Sequence, residues 1–151
     1  MLSPQITRVL ITGSLLLHGF AHGFALVALL IQTLGIVTKS PVIVRSWLLP
    51  SLSEKMAAIL AMPFWITSTL CFIVGSVSFW GILGKELAWR QLAIDGSVIS
   101  VFGIVVFSGI WPGSPSNRRS ALNTLVAVAM NAVILVSLLW LRWPPEVLFG
   151  K

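Results

Sequence analysis

Two histidines four residues apart, His18 and His22, are the side chains in this 151-residue chain with the widest chemical range. Imidazole can bind a metal or haem iron, carry a proton or simply hydrogen-bond, and its surroundings decide which. At i, i+4 the pair shares one face of a helix. The segment around them, Leu17-His18-Gly19-Phe20-Ala21-His22-Gly23-Phe24, repeats the same spacing in Gly19 and Gly23 on an adjoining face. A G-x-x-x-G pair inside an apolar helix allows a second helix to approach closely, so Gly19 and Gly23 are packing positions and the histidines turn into the protein.

Other polar residues within apolar runs are Ser78, Asp95, Ser100, Asn131 and Ser137. The acidic residues are Glu54, Glu86, Asp95 and Glu146, of which Asp95 alone falls inside an apolar run. The H-G-x-x-H segment lacks the glutamate of the metalloprotease motif, and two histidines are half of a usual zinc set, so no metal site is assigned. No G-x-S-x-G, phosphate-binding glycine loop or C-x-x-C occurs, and no catalytic residue is assigned. The single cysteine, Cys71, excludes an internal disulfide and lies in an apolar run, as a packed thiol does.

The elements that position these residues follow from composition. Hydrophobic residues make up 57% of the chain and charged ones 9%, against about 25% charged in an ordinary soluble domain. Mean hydropathy is +0.99. With ~20 apolar residues per bilayer crossing, spans consume most of the chain. The apolar runs predict four, at about 9–37, 56–83, 89–111 and 121–143, with an interfacial segment at 41–50 between Pro41 and Pro50. The first run is uncharged from Val9 through Val37, much longer than the ~7–15-residue core of a signal peptide, and is read as a retained span. Ser51 and Glu54 have capping-box spacing, which starts the second helix at about Leu52. Pro63 either kinks that helix or opens its membrane span. Gly84-Lys85-Glu86 and Pro112-Gly113-Ser114-Pro115 are the later turns. Trp65, Trp80, Trp89, Trp111, Trp140 and Trp143 fall near span ends, where indole prefers the headgroup boundary. The predicted fold is all-α, an integral membrane antiparallel four-helix bundle in a single domain.

Counting ~1.5 Å per residue from the span midpoints puts His22, Ser100 and Asn131 near mid-span, and His18 about 7 Å nearer the terminus side with Asp95, Ser78 and Ser137. Three uses of these groups stand open. They hydrogen-bond one another and fix helix register; His18 or His22 ligates haem or a chlorophyll-type pigment; or His18 and Asp95 carry protons or small solutes. Little chain is left for extramembrane surface, which favours an accessory or scaffold protein, a subunit of a larger membrane complex or a homo-oligomer. The net charge of +6 is scattered over short hydrophilic segments, with no basic run longer than Arg118-Arg119. That distribution suits contact with lipid headgroups and excludes a nucleic-acid surface. Four spans place both termini on one side. Arg8, Lys85, Arg90, Arg142 and Lys151 then face Lys39, Arg45, Lys55, Arg118 and Arg119, an even split that leaves orientation undetermined.

The order of features resembles an uncharacterised family of small four-span bacterial integral membrane proteins. The shared features are His18-Gly19-Phe20-Ala21-His22 in the first span, Trp111-Pro112 after the third, and Asn123 in Ala121-Leu122-Asn123 of the fourth. Gly23 and the long Thr38–Pro50 connection depart from that pattern. The resemblance implies the same architecture and a bacterial inner (cytoplasmic) membrane location, and it implies no activity.

Overall fold

Residues 3–36, 44–82, 88–108 and 117–145 are described by the computed structural model, without the side chains of 108 and 117–120. The turns expected at 84–86 and 112–115, the Trp111-Pro112 pair, Pro41 and the side chains of Arg118-Arg119 lie outside the described residues.

Four α-helices dominate: α1 (Pro4–Thr33), α2 (Glu54–Ser78), α3 (Ala88–Val106) and α4 (Asn117–Leu135), the last continued by a π turn at Val136–Trp140. All four are long and apolar enough to cross a membrane, as an integral membrane protein requires. Ser3 caps α1 by accepting from the Ile6 amide at 3.3 Å, with Pro4 at the first helical position, where a missing N–H costs nothing. The helix ends at Gly35, whose φ of +67° is a conformation glycine adopts without strain. At 30 residues α1 is about 45 Å long and exceeds the ~30 Å hydrocarbon thickness.

The helix limits differ from the hydropathy limits in instructive ways. The cap of α2 is Ser53, whose Oγ accepts from the Met56 amide at 3.3 Å, and not Ser51. Glu54 becomes the first helical residue, where its carboxylate meets the positive end of the helix dipole and lies 3.6 Å from Arg45. Pro63 sits inside a continuous α2 and removes one backbone donor without ending the helix. The α2 helix stops at Ser78, short of 83, because Gly81 turns the chain at φ +71°. The α3 helix stops at Val106, short of 111, because β2 (Phe107–Ser108) pairs antiparallel with β1 (Arg45–Ser46), in the register Arg45↔Ser108 and Ser46↔Phe107. The Trp47 indole adds a bond to the Val105 carbonyl. The described part of the expected 41–50 interfacial segment is therefore tied to the end of α3, with Trp47, Leu48 and Leu49 exposed beside it.

The helices pack in chain order, α1 on α2, α2 on α3 and α3 on α4, while α1 and α4 meet less closely than any of these neighbouring pairs. Each neighbouring pair is antiparallel. A Cβ on Gly19 would stand 3.1 Å from Phe72 Cβ, and one on Gly96 2.9 Å from Cys71 Cβ, so α1 and α3 both press closely on α2. Gly23 has looser packing, 3.7 Å from Thr69. Two apolar clusters result. One gathers Ala25, Leu29, Ala57, Ala61, Trp65 and Val106; the other gathers Leu15, Phe72, Phe79, Trp89, Ala93 and Leu138. Along α1, α2 and α3 the buried polar residues His18, His22, Ser68, Ser97 and Ser100 fall between the two clusters, whereas Thr7, Ser76 and Ser78 lie outside that interval.

Candidate functional site: a buried polar network

The polar belt is organised by Asn131 on α4. Its Nδ2 donates to the Ala127 carbonyl at 2.9 Å and to Ser100 Oγ at 2.9 Å. A carbonyl can only accept, so this bond fixes which way the amide points. Asn131 Oδ1 then faces His18 Nε2 at 3.1 Å, and the imidazole must carry its proton on Nε2 to donate there. Ser100 Oγ lies 3.1 Å from His22 Nε2. Having accepted from Asn131, the hydroxyl can give its own proton to His22. Three helices, α1, α3 and α4, are thus joined by one chain of hydrogen bonds.

The rings are enclosed as well as bonded. His22 is fully buried and His18 nearly so. Phe72 stands edge-on to His18 at 4.7 Å between centroids and stacks on His22 at 5.6 Å with a 10° interplanar angle. Trp65 stands edge-on to His22 at 5.8 Å between centroids. The two imidazoles contact each other edge-on at 4.7 Å.

Of the seven polar residues predicted from depth, four meet: His18, His22, Ser100 and Asn131. The expected layer of His18 with Asp95, Ser78 and Ser137 makes no mutual hydrogen bond among the described residues. Asp95 accepts from Gln91 Nε2 on its own helix at 2.7 Å and is half-buried. Five residues separate it from Ser100, which at 3.6 per turn is about 140° around the helix. Depth alone could not reveal that. Ser78 is buried at the end of α2, and Ser137 lines an apolar cavity between α1 and α4.

Sequence reasoning missed Trp65, Phe72, Ser68, Thr69 and Ser97. Trp65, expected at a headgroup boundary, lies eleven positions beyond Glu54, about 16 Å into α2, and is fully buried. Its ring occupies the space a Cβ on Gly103 would need. The Gly96 and Gly103 pair on α3, seven residues apart, was the available signal. Trp65 Nε1, Ser68 Oγ, Thr69 Oγ1 and Ser97 Oγ are buried with no hydrogen-bond partner among the described residues.

These surroundings do not fit a haem or chlorophyll-type macrocycle. Both Nε2 atoms are engaged inside the bundle, and Phe72 and Trp65 take the space beside the rings. The cavity reaching His18, about 260 Å³, is smaller than the ~300–1,000 Å³ of sites for drug-sized ligands. Among the described residues no group of three or more His, Cys, Asp or Glu could hold a metal. Comparison with protein-family models, with curated proteins and with solved structures found no match.

Proposed function

We propose that this chain is a small integral membrane scaffold or accessory protein, built to pack with other membrane subunits or with copies of itself. The observation that carries the reading is the His18–Asn131–Ser100–His22 chain, in which each imidazole is used to join helices. Interhelical polar bonds of this kind fix register and rotation in an apolar medium, where packing alone discriminates weakly between alignments. The outer faces are apolar along all four helices, with Leu17, Phe24, Leu70, Phe102, Leu125 and Leu139 all exposed. Such faces suit lipid or another apolar helix. The bacterial inner membrane, with both termini on one side, is the location that the four spans and the family resemblance support.

The test is gentle extraction in mild detergent followed by native mass determination and an absorption spectrum from the near ultraviolet to the near infrared. A mass that is a multiple of the 16.4 kDa chain, or that includes a second membrane protein, supports the proposal. A monomer whose co-purifying absorption band disappears in His18→Ala or His22→Ala would sink it, as would Asp95-dependent proton flux in liposomes.

A further inference from the structure

The helices α1 and α4 part along a seam that opens sideways, and its terminus-side half is an apolar cavity of about 210 Å³. Leu10 and Ile11 form one wall, Ile134 and Leu138 the other, and Trp89 and Trp143 the outer end. An apolar cavity of about 150 Å³ is already enough to take up a benzene-sized hydrocarbon. From Met130 to Leu138 the chamber runs about 12 Å along α4, close to the ~15 Å depth of one leaflet. The wall on this side is the least buried of the four helices: 17% of the α4 window is buried, against 33–39% in the others. A π turn, a feature frequent at functional sites, begins where the chamber meets Ser137.

The rim is cationic. Arg90 donates from Nη2 to the Pro144 carbonyl at 2.8 Å, which sets its guanidinium beside Trp143 and Pro144 at the mouth. Arg142, exposed with φ +48°, precedes them in the chain. Arg8 on α1 is instead held at the end of α2, donating from Nη2 to the Phe79 carbonyl at 3.4 Å with its guanidinium over the Trp80 ring at 5.1 Å. Asp95, on the helix that bears Arg90, is bonded to Gln91 more than a turn deeper; Glu86 and Glu146 lie outside the described residues.

We infer that the α1–α4 seam is a binding site for one anionic phospholipid, its acyl chain in the chamber and its phosphate at the Arg90–Arg142 rim. Planar guanidinium matches phosphate oxygens in geometry and charge, and indole rings at the mouth match the headgroup boundary. The inference rests on the chain spanning a bilayer, which flotation of the protein with vesicles reports separately.

The full chain is reconstituted in vesicles of phosphatidylglycerol or of phosphatidylcholine, re-extracted in mild detergent and examined by native mass spectrometry. One retained phosphatidylglycerol per chain is expected, at least fivefold more abundant than phosphatidylcholine. Leu10→Trp and Ile134→Trp, filling the chamber from opposite walls, abolish the adduct, whereas Leu125→Trp on the exposed face keeps it. Leu10 is already half-exposed, so that variant folds even where Ile134→Trp does not. The double variant Arg90→Gln/Arg142→Gln removes the preference for phosphatidylglycerol. A protein that floats with vesicles but retains no lipid overturns the inference. So does an adduct that survives Leu10→Trp, or one that is equally abundant with both lipids.

Discussion

Replacing Asn131 with alanine removes a side chain that hydrogen-bonds both His18 on α1 and Ser100 on α3. Two interhelical hydrogen bonds are lost, to His18 at 3.1 Å and to Ser100 at 2.9 Å. Interhelical bonds in a membrane protein average about 0.6 kcal/mol each and reach about 1.7, which gives roughly 1–3 kcal/mol for the pair. The residual cavity where the amide was adds to that figure. A sharper quantity is the coupling between partners. A double-mutant cycle of His18→Ala with Asn131→Ala isolates one bond and should return about 0.6–1.7 kcal/mol. The parallel cycle of His18→Ala with Asp95→Ala should return less than about 0.3 kcal/mol, because the two side chains share no bond or partner. Unfolding in mixed micelles, followed by far-ultraviolet circular dichroism and by tryptophan fluorescence, supplies the free energies. Coupling of His18 to Asp95 equal to or above its coupling to Asn131 would refute the network and restore the layer inferred from depth.

Glycine substitutions separate close approach from open space. Gly103→Ala drives a Cβ into the buried Trp65 ring and should destabilise by about 1–3 kcal/mol, with a shift in tryptophan emission. Gly13→Ala meets nothing within 4 Å and should stabilise α1 by roughly 0.5–1 kcal/mol in the same unfolding assay. Ser53→Ala removes the α2 cap and should cost about 0.5–2 kcal/mol, while Ser51→Ala changes stability by less than ~0.5 kcal/mol. In His18→Ala and His22→Ala, thermal stability falls while the visible spectrum of gently extracted protein is unchanged; a lost band would show that the rings serve a pigment.

Much of the architecture was legible because it depends on runs of apolar residues, and those are local. Four helices, the packing glycine at position 19 and four polar residues of the belt, His18, His22, Ser100 and Asn131, came from spacing, whereas Ser68, Thr69 and Ser97 did not. What escaped was azimuth. Counting residues gave His18 and Asp95 nearly the same depth, yet Asp95 points about 140° away from Ser100, and Asn131 reached His18 instead. Helix ends escaped for a second reason, since α3 stops where β2 meets β1, two segments about sixty positions apart in the chain. Trp65 misled because an indole near the start of an apolar run looks like a boundary marker. The cap at Ser53 sends α2 through it at mid-length, where His22 and the bare face of Gly103 receive it.

The measurement that bears most directly on the histidines as structural pins is nitrogen-15 magnetic resonance of histidine-labelled protein in bicelles, for the wild type and two variants. The account predicts a His18 ring protonated at Nε2, with resonances that move in Asn131→Leu and stay in place in Asp95→Asn. A His18 ring protonated at Nδ1 alone, or one that responds to Asp95→Asn and ignores Asn131→Leu, would contradict it.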